Sequence, residues 1–182
     1  MTTDTLGWLG IVRLGLVQTS LGAIVVLTTS TLNRVMVVEL ALPATLPGAL
    51  VAIHYAVQSR RPRLGYGSDV TGRATPWIVG GMAVLSLGGL LASVATAWMA
   101  TSRGAGIALA VAAFLLIGLG VGAAGTSLLA LLARRVDESK RAAAATIVWL
   151  MMIAGIALTA GIAGGLLDPF SPARLVLVGG GV

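Results

Sequence analysis

Long stretches without a formal charge dominate this chain. Leu14–Asn33 and Leu40–Ser59 are each twenty residues without a charge, and Ala74–Ser102 runs for 29. Gly104–Ala133 adds thirty and Ala142–Leu167 another 26. A helix rises about 1.5 Å per residue, so about 20 apolar residues cross a hydrocarbon layer of about 30 Å. Each run is long enough to do so. Only 10% of the residues are charged and 57% are hydrophobic, against about 25% charged in an ordinary soluble domain. A polar exterior cannot be assembled from so few charges, so lipid is the expected solvent and helices the expected element.

The expected fold class is therefore an all-α membrane protein. Its spans cover residues of about 14–33, 40–59, 76–100, 105–132 and 143–166. A partial sixth covers 174–182, and the eight apolar residues after Arg174 reach less than halfway across a bilayer. Residues 1–182 are expected to form one transmembrane bundle, truncated from a longer protein. Pro43 and Pro47 mark where the second span begins, because proline is tolerated in the first turn of a helix and breaks its interior. Trp77 and Trp98 are 21 residues apart, about 32 Å along a helix, as two interfacial belts would be.

The basic residues gather in two linkers. Arg60, Arg61, Arg63 and Arg73 occupy one, and Arg134, Arg135, Lys140 and Arg141 the other. Arg34, Arg103 and Arg174 fall on the opposite side. The positive-inside rule puts both basic linkers, and with them the N-terminus and Arg13, in the cytoplasm. A net charge of +6 carried this way is a topology signal. A nucleic-acid surface would spread its arginines along one folded face among stacking aromatics, so no nucleic-acid partner is expected. The absence of cysteine excludes disulfides and thiolate metal sites.

Candidate functional residues are few. His54 is the only histidine, the one side chain able to titrate near neutrality or to ligate a metal through nitrogen. On a helix it shares a face with Gln58 and Arg61. Bonding to a neighbouring helix inside the bundle is its expected role, and ligation the sharper alternative. Asn33, Arg34 and Glu39 stand at the far edge of the first span, as an interfacial rim or as a paired gate. Gly120–Gly125 matches the dinucleotide pattern GxGxxG, but no strand precedes it, so helix packing is expected there. Gly118 with Gly122 and Gly161 with Gly165 are spaced for close helix approach. Without a buried carboxylate pair, a metal-ligand cluster or a nucleophile–base set, no catalytic residue, metal centre or required cofactor is expected.

The linker Gly65-Tyr66-Gly67-Ser68-Asp69-Val70-Thr71-Gly72-Arg73 resembles the loop between helices two and three of the major facilitator superfamily. It departs from that pattern at Val70 and Ala74, where basic residues are common. The resemblance implies a conformational role for Gly65, Asp69, Gly72 and Arg73. A carboxylate held among glycines can accept N–H bonds from a helix N-terminus and so stabilise one of two states. From Thr31 onward, TLNRVMVVELALPATLPGALVAIHYAVQ, RPRLGYGSD and TPWIVGGMAVLSLGG are similar to the PucC-like, bacteriochlorophyll-associated (BCH) branch of that superfamily, in its N-terminal half.

That resemblance implies a bacterial inner membrane protein, cytoplasmic or intracytoplasmic, that assembles light-harvesting antenna complexes. It implies bacteriochlorophyll as bound cargo, and antenna polypeptides and the missing C-terminal half as partners. In a chlorin the macrocycle leaves an axial position on magnesium, and His54 is the candidate ligand, with Gln58, Asn33, Arg34 and Glu39 as further pigment or substrate contacts. The competing expectation is a secondary transporter of a small or lipophilic substrate on the same scaffold.

Overall fold

The computed structural model describes residues 5–59, 67 and 70–182. Among these the backbone forms helices and no strand. Helix α1 is a continuous rod, Trp8–Glu39, interrupted by π-helical turns at Leu27–Thr31 and Val35–Glu39. It is followed by α2, Thr45–Gln58, α3, Ala74–Trp98, and α4, Arg103–Arg135. A short 3₁₀ turn, Glu138–Lys140, leads into α5, Arg141–Leu166, and the last element is α6, Pro172–Gly181. Four of these are long and apolar enough to cross a membrane: α1, α3, α4, and α5 with its leading turn.

The first span is longer than its uncharged run. The stretch between Arg13 and Arg34 lies wholly inside α1 and spans about 32 Å, so one helical turn or more overhangs it at each end. The second is shorter. Residues 40–44 are not helical; Ala41 takes a positive φ of 49°, and Pro43, without an N–H, cannot extend a helix backwards. Pro47 then occupies the first turn of α2, where a missing donor costs nothing. The resulting 14 residues reach about 21 Å, short of a full crossing. The two tryptophans of α3 do mark its ends, in its first turn and at its last residue.

Packing is built on small residues. α3 lies along α4 and α1 along α5, while α2 covers α4 and α6 covers α3. A Cβ on Gly81 would stand 2.5 Å from the Ala124 backbone nitrogen, and one on Gly120 2.6 Å from that of Leu85. The GxGxxG sequence is thus a helix-packing surface, as its context implied. Across the α1–α5 seam, Thr19 Oγ1 donates to the Met151 carbonyl at 3.0 Å, and Gly155 lets the Thr19 carbonyl approach. Gly161 and Gly165 depart from expectation: nothing approaches where their Cβ atoms would stand. That face of α5, with Leu158, Ile162 and Leu166, is exposed.

Two apolar clusters lie toward opposite ends of the bundle. One joins Ile11, Ala74, Ile78, Leu132, Val136 and Ala144. The other includes Leu32, Met36, Met99, Leu167 and Leu175. At the first end Leu6 N–H donates to the Arg135 carbonyl at 2.8 Å, and the Lys140 ammonium stands 5.9 Å from the Trp8 ring centroid, within cation–π range. Gly72 and Arg73 flank the same groove as Arg134 and Arg135. The N-terminal segment therefore shares an end with both basic linkers, as expected. Arg34, Glu39, Arg103, Asp168 and Arg174 follow the helices to the other end.

Candidate functional site

Helix α2 buries one stripe, Pro47, Leu50, His54 and Gln58, a spacing of three to four residues that keeps them on one face. The stripe can press against α4 because of Gly118, where a Cβ would meet the His54 carbonyl at 2.8 Å. His54 is consequently only 1% exposed. Its Nε2 meets Gln58 Nε2, one turn further along the same helix, and its ring packs edge-on against Tyr55 with centroids 5.0 Å apart. Gln58, a partner within α2, thus engages the imidazole. Arg61, expected on the same stripe, lies outside the described residues.

Both polar side chains border a cavity of about 230 Å³ between α1, α2, α4 and α5. Tyr55 and Trp149, 58% and 51% exposed, stand at its rim. Leu21, Val25, Val121 and Ile156 supply apolar wall, and Thr126 a further hydroxyl. α1 contributes Gln18, which sequence reasoning passed over. Gln18 is 6% exposed, and its amide N–H donates to Met152 Sδ at 3.3 Å. Its Oε1 has no hydrogen-bond partner among the described residues. The legible signal was a glutamine part-way along an uncharged run, a placement that costs free energy unless its polar ends are used.

The α1 candidates lie elsewhere, toward the opposite end. Asn33 Nδ2 donates to the Thr29 carbonyl at 2.7 Å, and Thr29 Oγ1 to that of Val25 at 2.7 Å. Side chains thus occupy carbonyls along the stretch that loosens into π turns. Arg34 and Glu39 pair at 3.9 Å with side chains 58% and 29% exposed, an open rim contact. Neither they nor Asn33 border the cavity with His54 and Gln58, so the structure divides the five candidates into two places.

In the linker motif, Gly72 has a φ of +63°, a left-handed conformation that favours glycine, and Arg73 precedes the first residue of α3. Gly65 and Asp69 lie outside the described residues. The second basic linker is ordered by Asp137, whose carboxylate accepts the Ser139 hydroxyl and the Ser139 backbone N–H. Those two bonds hold its pKa below the ordinary carboxylate value, aided by Lys140 and Arg141.

Residues 31–182 match the family model described as PUCC protein. The chain belongs to that family. It is 61% identical over 174 residues to the bacteriochlorophyll synthase 44.5 kDa chain of Rhodobacter capsulatus, an alignment covering 96% of this chain and 41% of that protein. The PUCC chain thus spans less than half the length of this relative. No solved structure matches it. The matched segment holds α2 and the linkers, while Gln18 precedes it and lies within the part of α1 that only the longer alignment can reach.

Proposed function

We propose that this PUCC chain is the N-terminal part of an integral membrane protein that handles bacteriochlorophyll, or antenna subunits receiving it, during assembly of light-harvesting complexes. The observation that carries the reading is a group of three buried amide and imidazole side chains, Gln18, His54 and Gln58, that border one cavity behind two exposed aromatics, where the other buried polar side chains of the described spans are serine and threonine hydroxyls. Buried polar groups in such a bundle are costly and mark binding sites or pathways. A pigment has the matching chemistry, a broad apolar ring for Tyr55 and Trp149 and a few polar points to be met inside. The bacteriochlorophyll in the relative's name supports the same cargo. The role is binding and hand-over without covalent chemistry.

In this reading the helices form half of a major-facilitator-type bundle in the bacterial inner membrane. The N-terminus and both basic linkers face the cytoplasm, the linker motif works as a conformational latch, and the remaining helices complete the structure. A transporter of a small substrate would place ionisable groups near mid-span. Among the described residues only His54 approaches that position, which favours a lipophilic cargo. The test is purification of the intact protein from pigmented membranes, with absorption spectroscopy and identification of co-purifying polypeptides. Bound bacteriochlorophyll or antenna polypeptides are expected; a colourless preparation without either overturns the reading.

A further inference from the structure

Gln18 is a buried side chain with one end used and the other unmet. The amide N–H on Met152 Sδ fixes the orientation of the group, because a thioether can only accept. Oε1 is therefore committed as an acceptor, with no partner among the described residues, in a side chain that borders the cavity. An unmet buried acceptor is costly, and a donor brought by a ligand would relieve it. We propose that Gln18 recognises the magnesium of a chlorin through the water on its axial position: the water's oxygen binds magnesium and one of its hydrogens bonds to Gln18 Oε1.

The geometry selects this over direct ligation. A cavity of about 230 Å³ is too small to admit a macrocycle, while the exposed faces of Tyr55 and Trp149 offer a ring a platform at the rim. Neither Gln18 nor His54, at 6% and 1% exposure, can touch the metal of a ring held outside. The proposed contact is therefore a water between them, magnesium being a hard cation that dehydrates reluctantly and favours oxygen. His54, engaged with Gln58, then shapes the wall of the cavity and does not ligate. The inference rests on the pigment reading above and adds to it a basis for selecting metallated over metal-free pigment.

The test uses the intact protein in detergent, titrated with bacteriochlorophyll and with its magnesium-free counterpart, bacteriopheophytin, while tryptophan quenching is followed. Wild type is expected to favour the magnesium pigment by about tenfold, the value of one such hydrogen bond. Gln18→Met, of similar length without the carbonyl, is expected to bind the two pigments alike at the metal-free affinity. Gln18→Asn, which keeps the oxygen one methylene further back, is expected to retain part of the preference and guards against misfolding of the first variant. Trp149→Phe is expected to remove the largest share of the quenching. Undiminished preference in Gln18→Met, equal weakening towards both pigments, or unchanged quenching in Trp149→Phe overturns this inference and leaves pigment handling intact. Failure of wild type to bind either pigment overturns this inference and the pigment arm of the reading above, and leaves only the handling of antenna subunits.

Discussion

At the scale of single residues, two glycines of the same type have opposite prospects. Gly118→Ala places a methyl 2.8 Å from the His54 carbonyl and from Val57 Cβ, contacts that the α2 backbone must move to relieve. Overpacking of this kind costs about 1–3 kcal/mol. Gly161→Ala meets nothing and gains helix propensity of up to about 1 kcal/mol. Thermal unfolding in detergent should therefore show Gly118→Ala less stable than wild type and Gly161→Ala unchanged or more stable. Equal midpoints for the two would mean that α2 does not depend on that glycine. From the sequence the two GxxxG pairs looked equivalent, since spacing records which residues share a face and not whether a neighbour arrives there. His54 and Gln58 were legible because polar side chains are rare in these runs. Gln18 carried the same kind of signal but shares no helix face with a histidine, which is what made Gln58 stand out.

At the scale of elements, α3, α4 and α5 begin and end within three residues of the bounds 76–100, 105–132 and 143–166, because arginines and turn residues bracket uninterrupted apolar runs. The sequence misjudged α1 and α2, where the same uncharged stretch can belong to a helix or to the bend before one. The bend over residues 40–44, with its left-handed Ala41, is a tertiary outcome that hydropathy does not contain. The exposed face of α5 leads to a sharper expectation. Ile162 is exposed on a helix free of charge between its ends, so Ile162→Arg must present its guanidinium to lipid or to whatever packs there. Insertion scales assign about 2.5–3.5 kcal/mol to such a residue at the helix centre and less toward the ends; with Ile162 four residues before Leu166, the fraction of chains with α5 inserted should fall modestly in a translocon glycosylation assay. Undiminished insertion would mean that this face meets water. The turn before α5 is governed by Asp137. Its folded pKa is depressed, so its contribution is complete above the ordinary value of about 3.9 and is lost as pH falls through the lowered one. Limited proteolysis between Arg134 and Arg141 should accelerate across that acidic range in wild type, and Asp137→Asn should abolish the pH dependence.

At the scale of the whole molecule, the proposed sidedness rests on which charges the helices gather at each end. Trp8, Arg73, Arg134, Arg135 and Lys140 come together because α1, α3, α4 and α5 each traverse the bundle once, and the Leu6 to Arg135 hydrogen bond joins the N-terminal segment to that group. The opposite end carries Arg34, Arg103 and Arg174 alone among the described basic residues, against Arg13, Arg73, Arg134, Arg135, Lys140 and Arg141 at the first. The difference between the ends, more than the total of +6, is what an insertion machinery reads. A chain without cysteine allows this to be tested with single substitutions and no background reactivity. Ser139 lies at the strongly basic end and Thr101 in the turn between α3 and α4, and both are exposed. An impermeant maleimide added to intact spheroplasts should label Thr101→Cys and leave Ser139→Cys unmodified until the membrane is opened. The reverse pattern would invert the orientation while keeping the bundle. Labelling of both from outside would break the link between the clustered arginines and the cytoplasm, and with it the proposal that the Gly72–Arg73 linker works as a latch on that side.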